Sequence, residues 1–186
     1  MNLILPVIWF LWFLSEVLVN RLLRAGKSRE DLDPDKGSLT FIWITIIISI
    51  FTSVFSSYTI RSPIGPYYIQ YVGVFLILAG MVIRFTAIRT LGKAFTVDLS
   101  VKNEQKLIHH GFYKYIRHPS YSGSLLSFLG FGFTLNNWVS LALTVIPVTL
   151  VFLYRIRLEE QLLIKQPGLG YRDYMKRTKR LIPKIY

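Results

Sequence analysis

Two short runs in this chain hold residue types in an order that could do chemistry. The first is Arg117-His118-Pro119-Ser120-Tyr121, set within "GFYKYIRHPSYSG" from Gly111 to Gly123. Proline at 119 moves His118 out of the helical region and suits the first turn of a helix that follows. A helix start presents free backbone N–H groups, which attract carboxylates and other anions. Arg117 adds a rigid two-pronged donor for a carboxylate, and Gly123 lets a ligand or a neighbouring helix approach the backbone closely. The same residues would equally serve an ordinary membrane-helix entrance, with Tyr121 in the interfacial aromatic belt and Arg117 as a topology anchor.

The second run is "YRIRLEEQLL", Tyr154 to Leu163. Arg155 and Glu159 are four apart and share a helical face, with Glu160 one step round. Acidic side chains beside a membrane on its basic side are costly unless they hold something. The plain alternative is local pairing of the two glutamates with Arg155 and Arg157, worth a fraction of a kcal/mol where exposed. A third stretch, "NEQKLIHHGFY" from Asn103 to Tyr113, sets Leu107 and Ile108 in polar surroundings and Gly111 before an aromatic pair. It could wall a flat, partly apolar pocket such as one for adenine, or form a re-entrant turn on the bundle. His109 and His110 are adjacent, so on regular structure they diverge, and they read as surface residues. The three histidines, close to basic neighbours, make no zinc set, and the chain has no cysteine for thiolate chemistry, disulfides or metal ligation.

The elements that must position these runs are membrane helices. The 186 residues are 52% hydrophobic and carry a formal charge of +12, a combination expected of a multi-pass membrane protein of one domain. Five segments span or nearly span a bilayer: Leu3–Asn20, Leu39–Tyr58, Tyr67–Ile88, Ser122–Leu135 and Trp138–Tyr154. The first has no basic lead-in and no small-residue cleavage site before Arg21, so it reads as a retained helix. The fourth is short, and Asn136-Asn137 turns it directly into the fifth as a tight hairpin. Five Lys/Arg fall in 21–37, seven in 84–118 and nine in 155–186, which leaves Arg61 alone on the other side. The positive-inside rule then puts the N-terminus outside and the C-terminus in the cytoplasm. Basic residues beside apolar runs meet anionic lipid head groups; nucleic-acid binding would need a basic face on a recognisable module. The expected architecture is an all-α, multi-pass membrane bundle forming a single domain, 1–186. Three helices occupy 1–88. A catalytic part, 89–186, holds the hairpin, a cytoplasmic pocket and a C-terminal cytoplasmic helix.

"KLIHHGFYKYIRHPSYSG", then "RIRLEEQLL" about forty residues on, then "GYRDYMKRTKRLIPKI", resemble the isoprenylcysteine carboxyl methyltransferase family, integral membrane enzymes whose more distant relatives are phospholipid N-methyltransferases. The resemblance covers about Gly92 to the C-terminus. It implies S-adenosyl-L-methionine as methyl donor and S-adenosyl-L-homocysteine as product. Its implied donor pocket comprises Lys106, Leu107, Ile108, Tyr113, His118, Pro119, Ser120 and Tyr121, with Glu159 and Glu160 as acidic contacts. It also implies Arg155 facing the acceptor's carboxylate, and Arg117 bracing the site or contacting a carboxylate. The chain departs from the family at "KQPGLGYRDY", Lys165 to Tyr174, which bears on the acceptor end more than on the donor.

The implied reaction is carboxyl O-methylation of a lipophilic, isoprenylcysteine-like acceptor entering from the bilayer. It needs no covalent intermediate, in keeping with the absence of a Ser-His-Asp set, and would rest on alignment and exclusion of water. The alternatives are methylation of a phospholipid or another small molecule at nitrogen or sulfur, a related membrane reductase, or a non-enzymatic membrane protein. A compact chain without an added domain points to a prokaryotic cell membrane.

Overall fold

The structure, a computed structural model, describes residues 4–22, 37–92, 107–166 and 170–186. Its regular elements are α1 (Ile4–Leu22), α2 (Ser38–Thr59), α3 (Ile69–Leu91), α4 (Pro119–Thr134), α5 (Trp138–Lys165) and α6 (Tyr171–Arg177), with a 3-10 turn at Gly111–Lys114. The molecule is an all-α membrane bundle. α2, α3 and α5 are long and apolar enough to cross a bilayer by length and composition, while the apolar part of α1, Ile4–Val19, is shorter and α4 has 16 residues. Phe51, Phe55, Phe75 and Leu150 point outward, which suits a lipid solvent and would be costly in water.

Each of the five expected segments is a helix, but α5 does not stop at Tyr154. Its 28 residues reach about 42 Å at 1.5 Å per residue, against a hydrocarbon core of about 30 Å. The run Arg155 to Lys165 is therefore the far end of the same rod, fixed rigidly to the membrane part. Likewise α3 runs on to Leu91, so Arg89, beyond the expected end at Ile88, is helical too.

The hairpin turn is fastened by its two asparagines. Asn136 adopts a left-handed conformation with φ 47° and exchanges hydrogen bonds with Gly65, donating from Nδ2 to its carbonyl at 2.8 Å and accepting from its N–H at 3.1 Å. Asn137 caps α5 by accepting from the Ser140 N–H at 3.0 Å and donates to the Ile60 carbonyl at 2.6 Å. The 60–65 connection is thus tied to the α4–α5 turn.

α3 and α4 pack antiparallel at backbone distance. A Cβ on Gly73 would lie 2.6 Å from the Gly130 carbonyl oxygen, and one on Gly123 would lie 2.7 Å from that of Gly80. The contacting glycines, Gly73 and Gly80 on α3 and Gly123 and Gly130 on α4, are seven apart, so about every two turns bare backbone meets bare backbone. Ser127 seals the seam between them by donating to the Ile77 carbonyl at 3.1 Å. Without a hydrophobic driving force in lipid, such small-residue contact and interhelical hydrogen bonding are what hold helices together. α2 and α5 use hydroxyls instead: Ser56 and Ser140 share a 2.8 Å hydrogen bond, and Thr144 donates to Ser53 at 2.7 Å. α1 closes the bundle through Trp12, which packs on Phe128 and Phe131, and through Trp9, whose indole N–H donates to Thr134 at 2.9 Å.

Candidate functional site

Pro119 occupies the first turn of α4, and His118 before it is non-helical at φ −124°, ψ 56°, with no side chain capping the helix. The tail lies alongside the segment that leads into α4, 115–118. Lys179 N donates to the Tyr115 carbonyl at 3.0 Å, Arg117 N to the Lys179 carbonyl at 2.7 Å, and His118 N to the Arg180 carbonyl at 3.0 Å. This short parallel pairing, centred on Ile116 and Lys179, brings the tail against the histidine-proline corner. Ser122 adds a further tie by donating to the Leu181 carbonyl at 2.7 Å.

The corner and the double glutamate meet. Glu160 is buried, with Arg117 Nε 2.9 Å from Oε1 and Arg180 Nη2 2.7 Å from Oε2. His118 Nε2 stands 3.4 Å from Oε1. Arg117 spends its remaining reach on backbone, donating to the carbonyls of Met175, at 3.3 Å, and Thr178. Three separate segments are thereby pinned to one carboxylate. Its hydrogen bonds to Glu160 hold the Arg180 guanidinium above its usual range. Both Glu160 oxygens carry guanidinium partners, so Glu160 and Arg117 form the wall of the site and brace it. The local pairing with Arg155 and Arg157 is not how this carboxylate is satisfied.

Glu159 is different. Its side chain is one-third exposed, it accepts from the Tyr121 hydroxyl at 3.3 Å, and its Oε1 is 3.9 Å from His118 Nδ1. Tyr113 and Tyr171 stand around it. Burial, and then the charge of Glu159, push the Tyr113 hydroxyl above its ordinary range. Tyr171 is raised by burial and by Glu160 and Glu159 together. Tyr174, pushed up to about 12 by burial, donates to the Tyr113 carbonyl at 2.7 Å and so binds α6 to the 3-10 turn. Leu107 and Ile108 are half-buried, Ser120 and Pro119 are buried, and His109 and His110 are exposed as expected. Lys106 lies outside the described residues.

Arg155, one turn before Glu159, is 1% exposed and donates to the hydroxyl of Ser38 at the start of α2. The last turns of α5 therefore offer a guanidinium on the inner side and a carboxylate nearer the surface, about one helical turn apart.

Sequence reasoning missed a second ionic cluster. Arg84 of α3 and Glu16 of α1 form a 3.0 Å ion pair with both side chains nearly buried. Arg84 also donates to the hydroxyl of Ser124 and, at 3.4 Å, to the Ser120 carbonyl in the first turn of α4. The signal was present: opposite charges each set inside an apolar segment, where ionisable residues mark function or assembly. Arg84→Met should leave Glu16 buried without its guanidinium and cost about 3–5 kcal/mol. Thermal unfolding of Arg84→Met, Glu16→Gln and the double variant in detergent should show the double less destabilised than the sum of the two.

Comparison with known proteins now bears on this geometry. Over 121 residues the chain is 33% identical to the probable protein-S-isoprenylcysteine O-methyltransferase of Oryza sativa subsp. indica, covering 64% of this chain and 63% of the relative. Over 119 residues it is 34% identical to protein-S-isoprenylcysteine O-methyltransferase B of Arabidopsis thaliana, covering 63% and 60%. The chain thus spans under two thirds of the length of these curated relatives. Both are plant proteins and lend no support to a prokaryotic source. The fold matches a solved structure of the eukaryotic intramembrane Ras methyltransferase ICMT with a TM-score of 0.67 at 24% identity, over 96% of this chain and 64% of that one. The family model described as phospholipid methyltransferase matches residues 68–168, a span that takes in α3, the histidine-proline corner, the hairpin and both glutamates, and the chain belongs to that family.

Proposed function

We propose that the chain transfers a methyl group from S-adenosylmethionine to a lipophilic acceptor at the membrane, most simply the carboxylate of an isoprenylcysteine-like molecule. The observation that carries this reading is the convergence of His118, Tyr121 and Glu159 at the end of α5, with Arg155 one turn deeper. The residues fit such a donor. Glu159 is a partly exposed carboxylate among three tyrosines, suited to a cationic, aromatic ligand, and the neighbouring Glu160 is already neutralised by its arginines. When bound, S-adenosylmethionine supplies a methyl group already activated on a sulfonium.

This chain's own residues would then bind and orient. Glu159 and Tyr121 hold the donor, and the 115–118 segment paired with the tail closes its wall. Arg155, desolvated at the start of α2, gives an acceptor carboxylate a charge-assisted anchor, and the helices around it keep water out. A carboxylate is ionised at neutral pH, so no general base is required. In this arrangement the basic helix ends and the site face the cytoplasm, with the N-terminus outside, and the acceptor's apolar tail arrives from the bilayer. The named activities of the curated relatives support the carboxyl acceptor. The family-model description favours a second reading, an amine acceptor on a phospholipid, which must lose a proton before attack.

Purified protein given labelled methyl donor with either a farnesylated cysteine or an aminophospholipid separates the two: alkali-labile product marks an ester, alkali-stable product an amine. Lack of S-adenosylhomocysteine binding by calorimetry would end both. Arg155→Ala should raise the acceptor KM at least about tenfold while leaving S-adenosylhomocysteine affinity within about twofold. Glu159→Ala should do the reverse. Equal loss of both properties in both variants would leave only a shared structural role.

A further inference from the structure

Tyr171, in the first turn of α6, is 3% exposed, yet its hydroxyl makes no hydrogen bond among the described residues. That is costly: a buried hydroxyl without a partner forfeits its hydration with nothing in return. Its surroundings make the omission specific. Its ring lies 5.9 Å from that of Tyr174, whose own hydroxyl is satisfied by the Tyr113 carbonyl. Tyr121 of the same cluster is satisfied by Glu159. α6 packs against α5, and the charges of Glu160, Glu159 and Arg117 all bear on the Tyr171 hydroxyl. Among the described residues, Tyr171 is the tyrosine of this cluster whose hydroxyl is both fully buried and unpartnered.

Resting on the methyl-donor reading above, we propose that the Tyr171 hydroxyl is a ligand-contacting group of the donor pocket, forming its hydrogen bond to a polar group of the bound S-adenosyl compound. The unbonded state is then the cost of having the hydroxyl in position before the ligand arrives, and binding relieves it. Preorganised polar groups of this kind raise affinity because no side chain has to be ordered at the moment of binding.

The test is Tyr171→Phe in the full chain, which keeps the ring and its packing. S-adenosylhomocysteine affinity by calorimetry should fall about five- to tenfold, while the ligand-free protein melts at the same temperature or higher, since the variant removes only an unsatisfied group. A lower melting temperature with unchanged affinity, or a variant that no longer folds, would make the hydroxyl structural and overturn the proposal. A raised acceptor KM with unchanged S-adenosylhomocysteine affinity would place it on the acceptor side and overturn it equally. Wild-type protein that binds no S-adenosylhomocysteine would defeat the underlying reading; wild-type binding matched by Tyr171→Phe would defeat only this inference.

Discussion

Glu160→Ala should be the most damaging single change around the histidine-proline corner. It removes the carboxylate that faces Arg117 at 2.9 Å and Arg180 at 2.7 Å, and leaves the Arg117 guanidinium, 7% exposed, among backbone carbonyls without that counter-charge. Removing one partner of a buried pair costs about 3–5 kcal/mol, and here the segments 115–118 and 178–181 lose their common anchor as well. Thermal unfolding should therefore start at lower temperature, and protease should cut the tail first. On the methyl-donor reading proposed above, S-adenosylhomocysteine binding should vanish, because the wall that carries His118 is no longer held. Arg180→Ala should cost much less, since its side chain is 27% exposed and a solvated pair contributes little. If Glu160→Ala unfolds like wild type, the carboxylate is no structural hub.

Valine at Gly80 or Gly123 should be nearly as harmful through packing alone. A Cβ at Gly80 would sit 2.4 Å from the Gly123 carbonyl oxygen, and at Gly123 it would sit 2.7 Å from the Arg84 backbone nitrogen. Neither obstacle is a side chain that can swing aside, so the helices must part. Overpacking typically costs about 1–3 kcal/mol, and separation would also break the Ser127-to-Ile77 hydrogen bond and pull Arg84 from Ser124. Unfolding by SDS titration should report the loss, and donor affinity should fall with it. Valine at Gly37, where a Cβ meets nothing within 4 Å, serves as a comparison for the seam, although its φ of 84° makes that site unfavourable for backbone reasons. Wild-type stability in Gly123→Val would show that the seam is loose.

Much of this was readable before any coordinates. The helix count follows from apolar length, the hairpin from two asparagines between apolar runs, and the start of α4 from Pro119. Local rules govern each of these, so local sequence suffices. The convergence of His118 with Glu159 follows only from the family resemblance, because nothing in either run dictates a partner 41 positions away. Division of labour between the glutamates was hidden for the same reason. A helical wheel separates Glu159 from Glu160 by about 100°, yet only the packed tail decides which of them Arg180 and Arg117 consume. The Glu16–Arg84 pair escaped because the two charges lie 68 positions apart in different helices and nothing local to either names the other. The seven-residue glycine spacing on α3 and α4 was visible but carries no meaning until the two helices are known to be antiparallel neighbours.

The pairing of residues 178–181 with 115–118 has a consequence for biosynthesis. Arg117 is made 43 residues before its carboxylate and 61 before the Thr178 carbonyl that it bonds. A ribosome extending the chain can complete the insertion of α1 to α5 while residues 115–118 still lack their pairing with 178–181. On the methyl-donor reading proposed above, competence to hold the donor should arrive abruptly, once residues 178–181 have paired with 115–118, rather than grow with each helix inserted. Nascent chains stalled at successive lengths would show that step as a sudden gain of protease resistance.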